Sequence, residues 1–460
     1  MVSAVVLAAG EGKGAWPYSG IRQKVTCPII NTPMVRRLVL HLKEAGINEI
    51  SVVIGHRGEA VRACTGDIDG VSFTWQNPLK GPVDAALRGI QEANGEDVLI
   101  CCADIVTSGA TYSKLLKQYQ LNRSEAMLLI DKRSDDTPHY TTIHVDDSGL
   151  VTGVWGHGEG PHPRYAGVCL ARKDLLKRYL LLNPGLMDNV TIGEMPPVEG
   201  DIAHSFDLMR QDGIEVQTCR PDGFLVDVDR PWHIVEANYE AARYYFDQLE
   251  KSELGPGASV SDGADIASGA KLVLGPGATI GKGCHISGNL VLGARTKVIN
   301  GAILHHDVVV GSDTECKDYC TIDNHAVLGS RCIFGHGSEF TGLAFDTVYL
   351  WHYCCITGLM GNNVDIGAAT VCGTWRFDNG VREQKIKGHK EYPSRFGSYT
   401  YIGDYTRTGV NVMFMPGTKV GYHSCVGAGA IIYEDVPDRT LLLPKQEHIT
   451  KEWGPGRYGW

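Results

Sequence analysis

A chain of 460 residues with 43% hydrophobic and 21% charged side chains can bury a large core, which excludes global disorder. Its 53 acidic against 43 basic residues give a formal charge of −10, which argues against a dedicated nucleic-acid binder, and the sequence offers no apolar run long enough for a membrane span. The 14 cysteines at irregular spacing read as reduced thiols of a cytoplasmic protein, and the first apolar run begins at Val2 with no basic leader before it.

In chain order, short apolar runs at 2–7, 50–54, 71–75 and 98–103 alternate with amphipathic stretches such as 34–45 and 83–94. Buried runs interleaved with helices predict parallel strands in a Rossmann-like, doubly wound α/β domain. The alanine-, tyrosine- and glutamate-rich stretch 231–251 predicts a closing helix, and a boundary follows, giving a first domain of 1–252 and a second of 253–460.

Glycine marks the change. The first 254 residues hold 24 of the 56 glycines and the remaining 206 hold 32. From Leu274, every sixth residue is apolar: Ile280, Ile286, Leu292, Val298, Leu304, Val310, Cys316, Ile322, Leu328 and Phe334. The period resumes at Met360, Ile366 and Cys372, and again at Ile402, Phe414, Val420, Val426 and Ile432, with polar Thr408 inside the series. One inward side chain per six-residue face predicts a left-handed parallel β-helix of hexapeptide repeats, three faces to a coil. The charged stretch near 374–399 breaks the period and is expected to be a loop extruded from the prism. The histidines and cysteines of this half, including His305, His306, Cys316, Cys320, His325, Cys332 and His336, lack the close paired spacing of a zinc site and read as buried thiols and turn residues.

At the end of the first run, Leu7, Ala8, Ala9, Gly10 and Gly12 form a small-residue turn whose backbone N–H groups can approach phosphate oxygens. Lys24, a dozen residues on, can lie along a triphosphate. With Pro33, Met34 and Val35, these residues resemble the sugar-1-phosphate nucleotidyltransferases. With the hexapeptide half, nearly the whole chain resembles the two-domain uridylyltransferase/acetyltransferase family, its archaeal-type members above all, through Arg376-Phe377-Asp378, Arg407 to Asn411 and Met415-Pro416-Gly417.

The resemblance implies roles residue by residue. Gln76 and Gly81 match the base-reading pair, which implies a pyrimidine triphosphate with UTP favoured over dTTP. Asp104 matches a strand-end Mg²⁺ ligand. Its partner is Asp227 or Asp229, since two alignments are open. The reaction implied is attack of a sugar 1-phosphate on the α-phosphorus of the nucleotide, with release of pyrophosphate. A homotrimer assembled through the β-helix is implied as well, as is an acyl-CoA-dependent acyl transfer in the second half.

The chain also departs from the family. Gly14 stands where an arginine normally faces the triphosphate, and nearby Arg22 is the candidate replacement. Pro82 replaces a threonine after the base-reading glycine. In the sugar pocket, Thr141, Gly156 and Tyr165 replace a glycine, a glutamate and an asparagine. The family's acyltransfer histidine lies fourteen residues before an asparagine. Here Asp365 holds the asparagine position, Trp351 falls at that spacing, and His352 is one residue off. Thr374 replaces a second asparagine. Glu339, matching an upstream glutamate, is two residues closer to Asp365 than the family spacing. Three readings follow: a nucleotidyltransferase, a hexapeptide acyltransferase with a degenerate front domain, or a non-catalytic trimer that binds nucleotide sugars.

Overall fold

A computed structural model describes residues 1–132, 140–156, 162–183, 200–386, 388–454 and 456. Lys387 and most of the aromatic tail beyond Gly454 lie outside the described residues.

The front half runs β1 (Val2–Ala8), α1 (Met34–Glu44), β2 (Ile50–Ile54), α2 (Gly58–Thr65), β3 (Val71–Trp75), α3 (Gly81–Glu92), β4 (Asp97–Cys102), β5 (Ile105–Thr107), α4 (Gly109–Leu121) and β6 (Ala126–Asp131). It continues through β7 (Thr142–Val145), β8 (Val151–Trp155), β9 (Arg164–Arg172), α5 (Lys173–Leu182), α6 (Ile202–Gln211), β10 (Val216–Cys219), β11 (Leu225–Asp227) and α7 (Pro231–Gln248). The main sheet has the order β8-β7-β9-β4-β1-β2-β3, with β6 added to β9 and β10 to β6. Its centre is parallel, and β9 runs antiparallel to β4.

The alternation of a strand fixes which side chain enters which layer. Along β1, Ala4, Val6 and Ala8 enter the core beneath α1 and α4, while Val5 enters the core beneath α3, α5 and α6. On α1, Val35, Leu38, Val39 and Leu42 are buried at helical spacing, so one stripe faces the sheet. Helices on both faces make the front half a Rossmann-like domain.

After α7 the chain becomes a parallel β-helix of two- and three-residue strands, beginning at Glu253–Leu254. Leu274, Leu292, Val310 and Leu328 stack in register, coil upon coil. Ile280, Val298, Cys316 and Phe334 form a second column, and Ile286, Leu304, Ile322 and Phe340 a third. All eleven apolar residues of the six-residue series from Leu274 to Phe334 belong to the buried core. Thr408, the polar member of the series, accepts a hydrogen bond from the Gly367 backbone at 2.8 Å.

The period then slips for a local reason. Strands Glu339–Ala344 and Cys355–Met360 each run continuously across what is elsewhere a corner. Leu328 therefore pairs with Ala344, and Ala344 with Met360, sixteen residues apart where earlier coils take eighteen. Gly342 makes the first shortened corner at φ 126, where an added Cβ would meet the Gly358 carbonyl oxygen at 2.1 Å. Further on, Met360 pairs directly with Ile402, and the chain between Cys372 and Thr400 leaves the prism, carrying a hairpin of Gln384–Ile386 with His389–Glu391.

The two halves share a core. Tyr18, Cys27, Ile29, Trp232 and Phe246 of the front half are buried with Val309, Val327, Leu343, Phe345, Leu359 and Tyr401 of the β-helix. Polar contacts rim it. Trp16 Nε1 donates to Asp438 at 2.9 Å, the Tyr18 hydroxyl to the Leu359 carbonyl at 2.6 Å, and Asn31 to the Leu328 carbonyl at 2.8 Å.

Candidate active site

The loop after β1 is shaped by glycine at two positions. Gly10 has open space around it, leaving the backbone bare. Gly12 adopts φ 63, and a Cβ there would press on Lys24 Cβ at 2.6 Å, so only glycine lets the lysine cross the loop. Gln23, which sequence reasoning passed over, buttresses the turn by donating to the Ala8 carbonyl at 3.1 Å and the Gly10 carbonyl at 2.8 Å. Its neighbouring position to Lys24 was the only available signal.

Two antiparallel strands outside the main sheet assemble the acidic side. β5 pairs with β11, setting Asp227 opposite Ile105, and the Val228 N–H donates to the Asp104 carbonyl at 3.0 Å. Val228 is buried, so Asp227 and Asp229 emerge on the same side as Asp104. Carboxylate oxygens of Asp104, Asp227 and Asp229 lie within 4.8 Å of one another, the one such cluster of metal-ligating side chains among the described residues. Lys24 Nζ reaches into it, at 2.8 Å from both Asp104 and Asp229.

The electrostatics follow from this crowding. Burial works against the Lys24 ammonium, and Asp104 and Asp229 more than offset it, raising its pKa above the ordinary lysine value. Lys24 holds the Asp229 carboxyl well below the usual range. Asp227 is instead pushed up to about 7 by burial, with Asp229 and Asp104 adding to the push. Arg164, buried and stacked on the Tyr140 ring at 4.2 Å, donates to Asp227 at 3.0 Å and partly relieves that repulsion. No spacing rule pointed to Arg164.

The two open alignments for the second acid meet here, because Asp227 and Asp229 both join Asp104. Arg22 goes elsewhere. Its guanidinium is held by Asp404 of the β-helix at 2.5 and 3.0 Å and lies over the Phe345 ring at 4.9 Å. At Gly14, a Cβ would meet Arg230 Nη1 at 2.6 Å and the Asp229 carbonyl oxygen at 2.6 Å. The space beside the loop is thus filled by a guanidinium from the other end of the domain. Arg230 is itself gripped by Glu391 of the extruded hairpin, at 2.7 Å.

A cavity of about 370 Å³ opens beside the acids, lined by Pro82, Cys102, Tyr140, Thr141, Tyr165, Asp201 and Ile202 among others. Thr141 and Tyr165 therefore join the site, and Gly156, just beyond β8, is not among the lining residues. Asp201, which the sequence did not single out, caps α6 through the Ala203 N–H at 2.8 Å and accepts from the Thr141 hydroxyl. Gln76 is buried near the start of α3, with its amide nitrogen on the Gly81 carbonyl at 2.9 Å. His352 is remote in the chain, on an exposed corner of the β-helix at φ 52, with its Nδ1 2.8 Å from Nδ1 of His336. The cysteines of the β-helix are free thiols, most of them buried. No helix among the described residues is long and apolar enough to cross a membrane.

Residues 4–173 match the family model for the MobA-like NTP transferase domain. A "Bifunctional sugar-1-phosphate nucleotidylyltransferase/acetyltransferase" of Sulfurisphaera tokodaii is 23% identical over 95% of this chain and 98% of its own length. A "Bifunctional protein GlmU" of Methanocaldococcus jannaschii is 22% identical over 98% of this chain and all of its own length. Among solved structures, a UDP-glucose pyrophosphorylase complexed with UDP-glucose aligns with a TM-score of 0.44 and 16% identity, covering 54% of this chain and all of that one.

Proposed function

We propose that the chain is a divergent member of the bifunctional sugar-1-phosphate nucleotidyltransferase family and transfers a nucleotidyl group from a pyrimidine nucleoside triphosphate to a sugar 1-phosphate. The observation that carries this reading is the convergence of Lys24, Asp104, Asp227 and Asp229 behind the bare Gly10 to Gly12 backbone.

An all-oxygen set of three carboxylates suits Mg²⁺, and Asp104, Asp227 and Asp229 are the residues that would hold it. When bound, the ion supplies charge neutralisation between these acids and the phosphates. The chain's own residues do the rest. The loop N–H groups face the triphosphate, and Lys24, already charged and fixed by two hydrogen bonds, offers a cation that needs no reorganisation. An oxygen of the sugar 1-phosphate attacks the α-phosphorus, a new P–O bond forms, and the bond to the β-phosphate oxygen breaks with its electron pair leaving on pyrophosphate. The cavity beside Asp201 and Thr141 takes the sugar or polyol, with the Asp201 carboxylate accepting from a hydroxyl.

The test is a screen of nucleoside triphosphates against sugar 1-phosphates, following pyrophosphate. Release is expected with a pyrimidine nucleotide, with kcat/KM falling about 10²- to 10³-fold in Lys24→Met. Equal release from wild type and Lys24→Met overturns the reading.

One observation favours a second activity, acyl transfer from acyl-CoA by the β-helix. The hydrogen bond to His336 permits a tautomer in which His352 Nε2 is bare and able to accept a proton. Exposed Tyr353 lies against the His336 ring at 4.9 Å on this corner, where a neighbouring copy in a homotrimer would complete the site. Acyl-CoA consumption that persists in His352→Ala contradicts this reading.

A further inference from the structure

Gln76 is 3% exposed, and both protons of its amide nitrogen are committed. One goes to the Gly81 carbonyl and the other to Asp84 Oδ2, each at 2.9 Å. Gly81 can turn its carbonyl back because it sits at φ 82, a conformation glycine adopts without strain. Asp84 lies in the first turn of α3, where the helix dipole favours a negative charge. Its Oδ2 also accepts from Arg88 Nε at 2.8 Å. Burial opposes the charge on Asp84, but the hydrogen bonds from Arg88 and Gln76 outweigh it and hold the carboxyl below its ordinary range.

These partners admit one orientation of the amide. A carbonyl and an ionised carboxylate are acceptors only, so they take the nitrogen of Gln76 and turn its Oε1 away. Oε1 has no hydrogen-bond partner among the described residues. That oxygen is left as an acceptor for a ligand that brings an N–H.

We propose that Asp84 is a specificity-determining positioning residue, which locks Gln76 as an acceptor and so selects a base that presents an imide N–H. This rests on the reading of Gln76 and Gly81 as the base-binding pair. Uracil and thymine carry a proton on N3. Cytosine carries a lone pair there, and it would face the fixed Gln76 oxygen. A pocket built to pair one hydrogen rejects the analogue that lacks it far better than a pocket of shape alone.

The experiment compares kcat/KM for UTP and CTP, followed as pyrophosphate release, in wild type, Asp84→Asn, Asp84→Ser and Gln76→Ala. Both replacements at position 84 can donate as well as accept, so only the Gly81 carbonyl is left to hold the Gln76 nitrogen inward and the amide can turn more readily. Wild type is expected to favour UTP by about 10²-fold or more. Asp84→Asn and Asp84→Ser are expected to lower that ratio at least tenfold, chiefly by raising the CTP rate relative to UTP. The ratio is read on one preparation, so a loss of folded protein lowers both rates and leaves it unmoved. If Gln76→Ala collapses the ratio and both Asp84 variants keep it, Asp84 does not position the amide. If the ratio survives in Gln76→Ala too, the base-binding assignment itself falls while nucleotidyl transfer stands. A wild-type preference for CTP overturns the proposal outright.

Discussion

Lys24 is a buried cation between two acids, and Asp104 and Asp229 together offset the burial that opposes its charge. Replacing one acid should therefore disturb more than metal binding. Asp104→Asn is expected to weaken Mn²⁺ binding, read by water-proton relaxation, at least tenfold, and equal affinity in wild type and variant would contradict the assignment. His233, packed beneath the same cluster, accepts from the Asp229 N–H at 3.2 Å and is buried. Burial lowers its pKa to about 3, and His41 is lowered to about 4 by the same cause. Between the ordinary histidine value and those lowered values, the unfolded chain binds more protons than the folded one. Stability from these residues is therefore complete above about pH 6.5 and is lost as pH falls toward 3. Urea midpoints measured from pH 7 to pH 4 should fall less steeply in His233→Asn than in wild type. At this scale the sequence showed which residue types meet, since Lys24, Asp104, Asp227 and Asp229 all carry a family pattern. It could not show Arg164, Asp201 or Asp84, because each acts through a neighbour brought close only by the fold. Gly14 was visible as a missing arginine, but its reason, the Arg230 guanidinium against its Cα, lies more than two hundred residues away in the chain.

Among the elements, the β-helix was the more legible. A side chain every six residues is a covalent regularity, and stacking preserves it until a corner changes length. The two continuous strands at Glu339–Ala344 and Cys355–Met360 shift the column twice, and His352 lies between them. The sixteen-residue step from Glu339 to Cys355 accounts for the two residues missing between Glu339 and Asp365, and leaves the one-residue displacement of His352 without a structural explanation. Phe334 stacks on Cys316 and Leu350 in the core and tilts against Phe340 at 5.2 Å. Phe334→Ala should cost about 3–5 kcal/mol, seen as a lower urea midpoint of the β-helix transition. The mixed sheet of the front domain was less readable. Its antiparallel members β7 to β9 flank segments outside the described residues, and their pairing depends on contacts that no local period encodes.

In the whole molecule, the segment that follows the glycine loop of the front domain is held from behind by the β-helix. The segment from Trp16 to Asn31 spends its polar groups on Asp438, Leu359, Asp404 and Leu328, and Arg230 spends its guanidinium on Glu391. Arg395 of the extruded loop closes the same side through Glu240 of α7 at 2.8 Å. Asp404→Ala would leave Arg22 buried without its counter-charge, at a cost of about 3–5 kcal/mol. It should lower nucleotide affinity together with stability, and calorimetric titration showing unchanged affinity would separate the loop from its support. None of this docking was legible from composition, because it joins residues of two patterns that read as independent domains. We propose that the Lys24 and aspartate cluster joins a nucleotide to a sugar phosphate. Phosphorus NMR of the protein with Mg²⁺, UTP and a panel of sugar 1-phosphates tests it directly. Paired resonances of a diphosphate diester are expected to grow with free pyrophosphate, about 10²-fold or more slowly in Lys24→Met and not at all after chelation. Orthophosphate without a diester, or a diester formed equally by Lys24→Met, would contradict it.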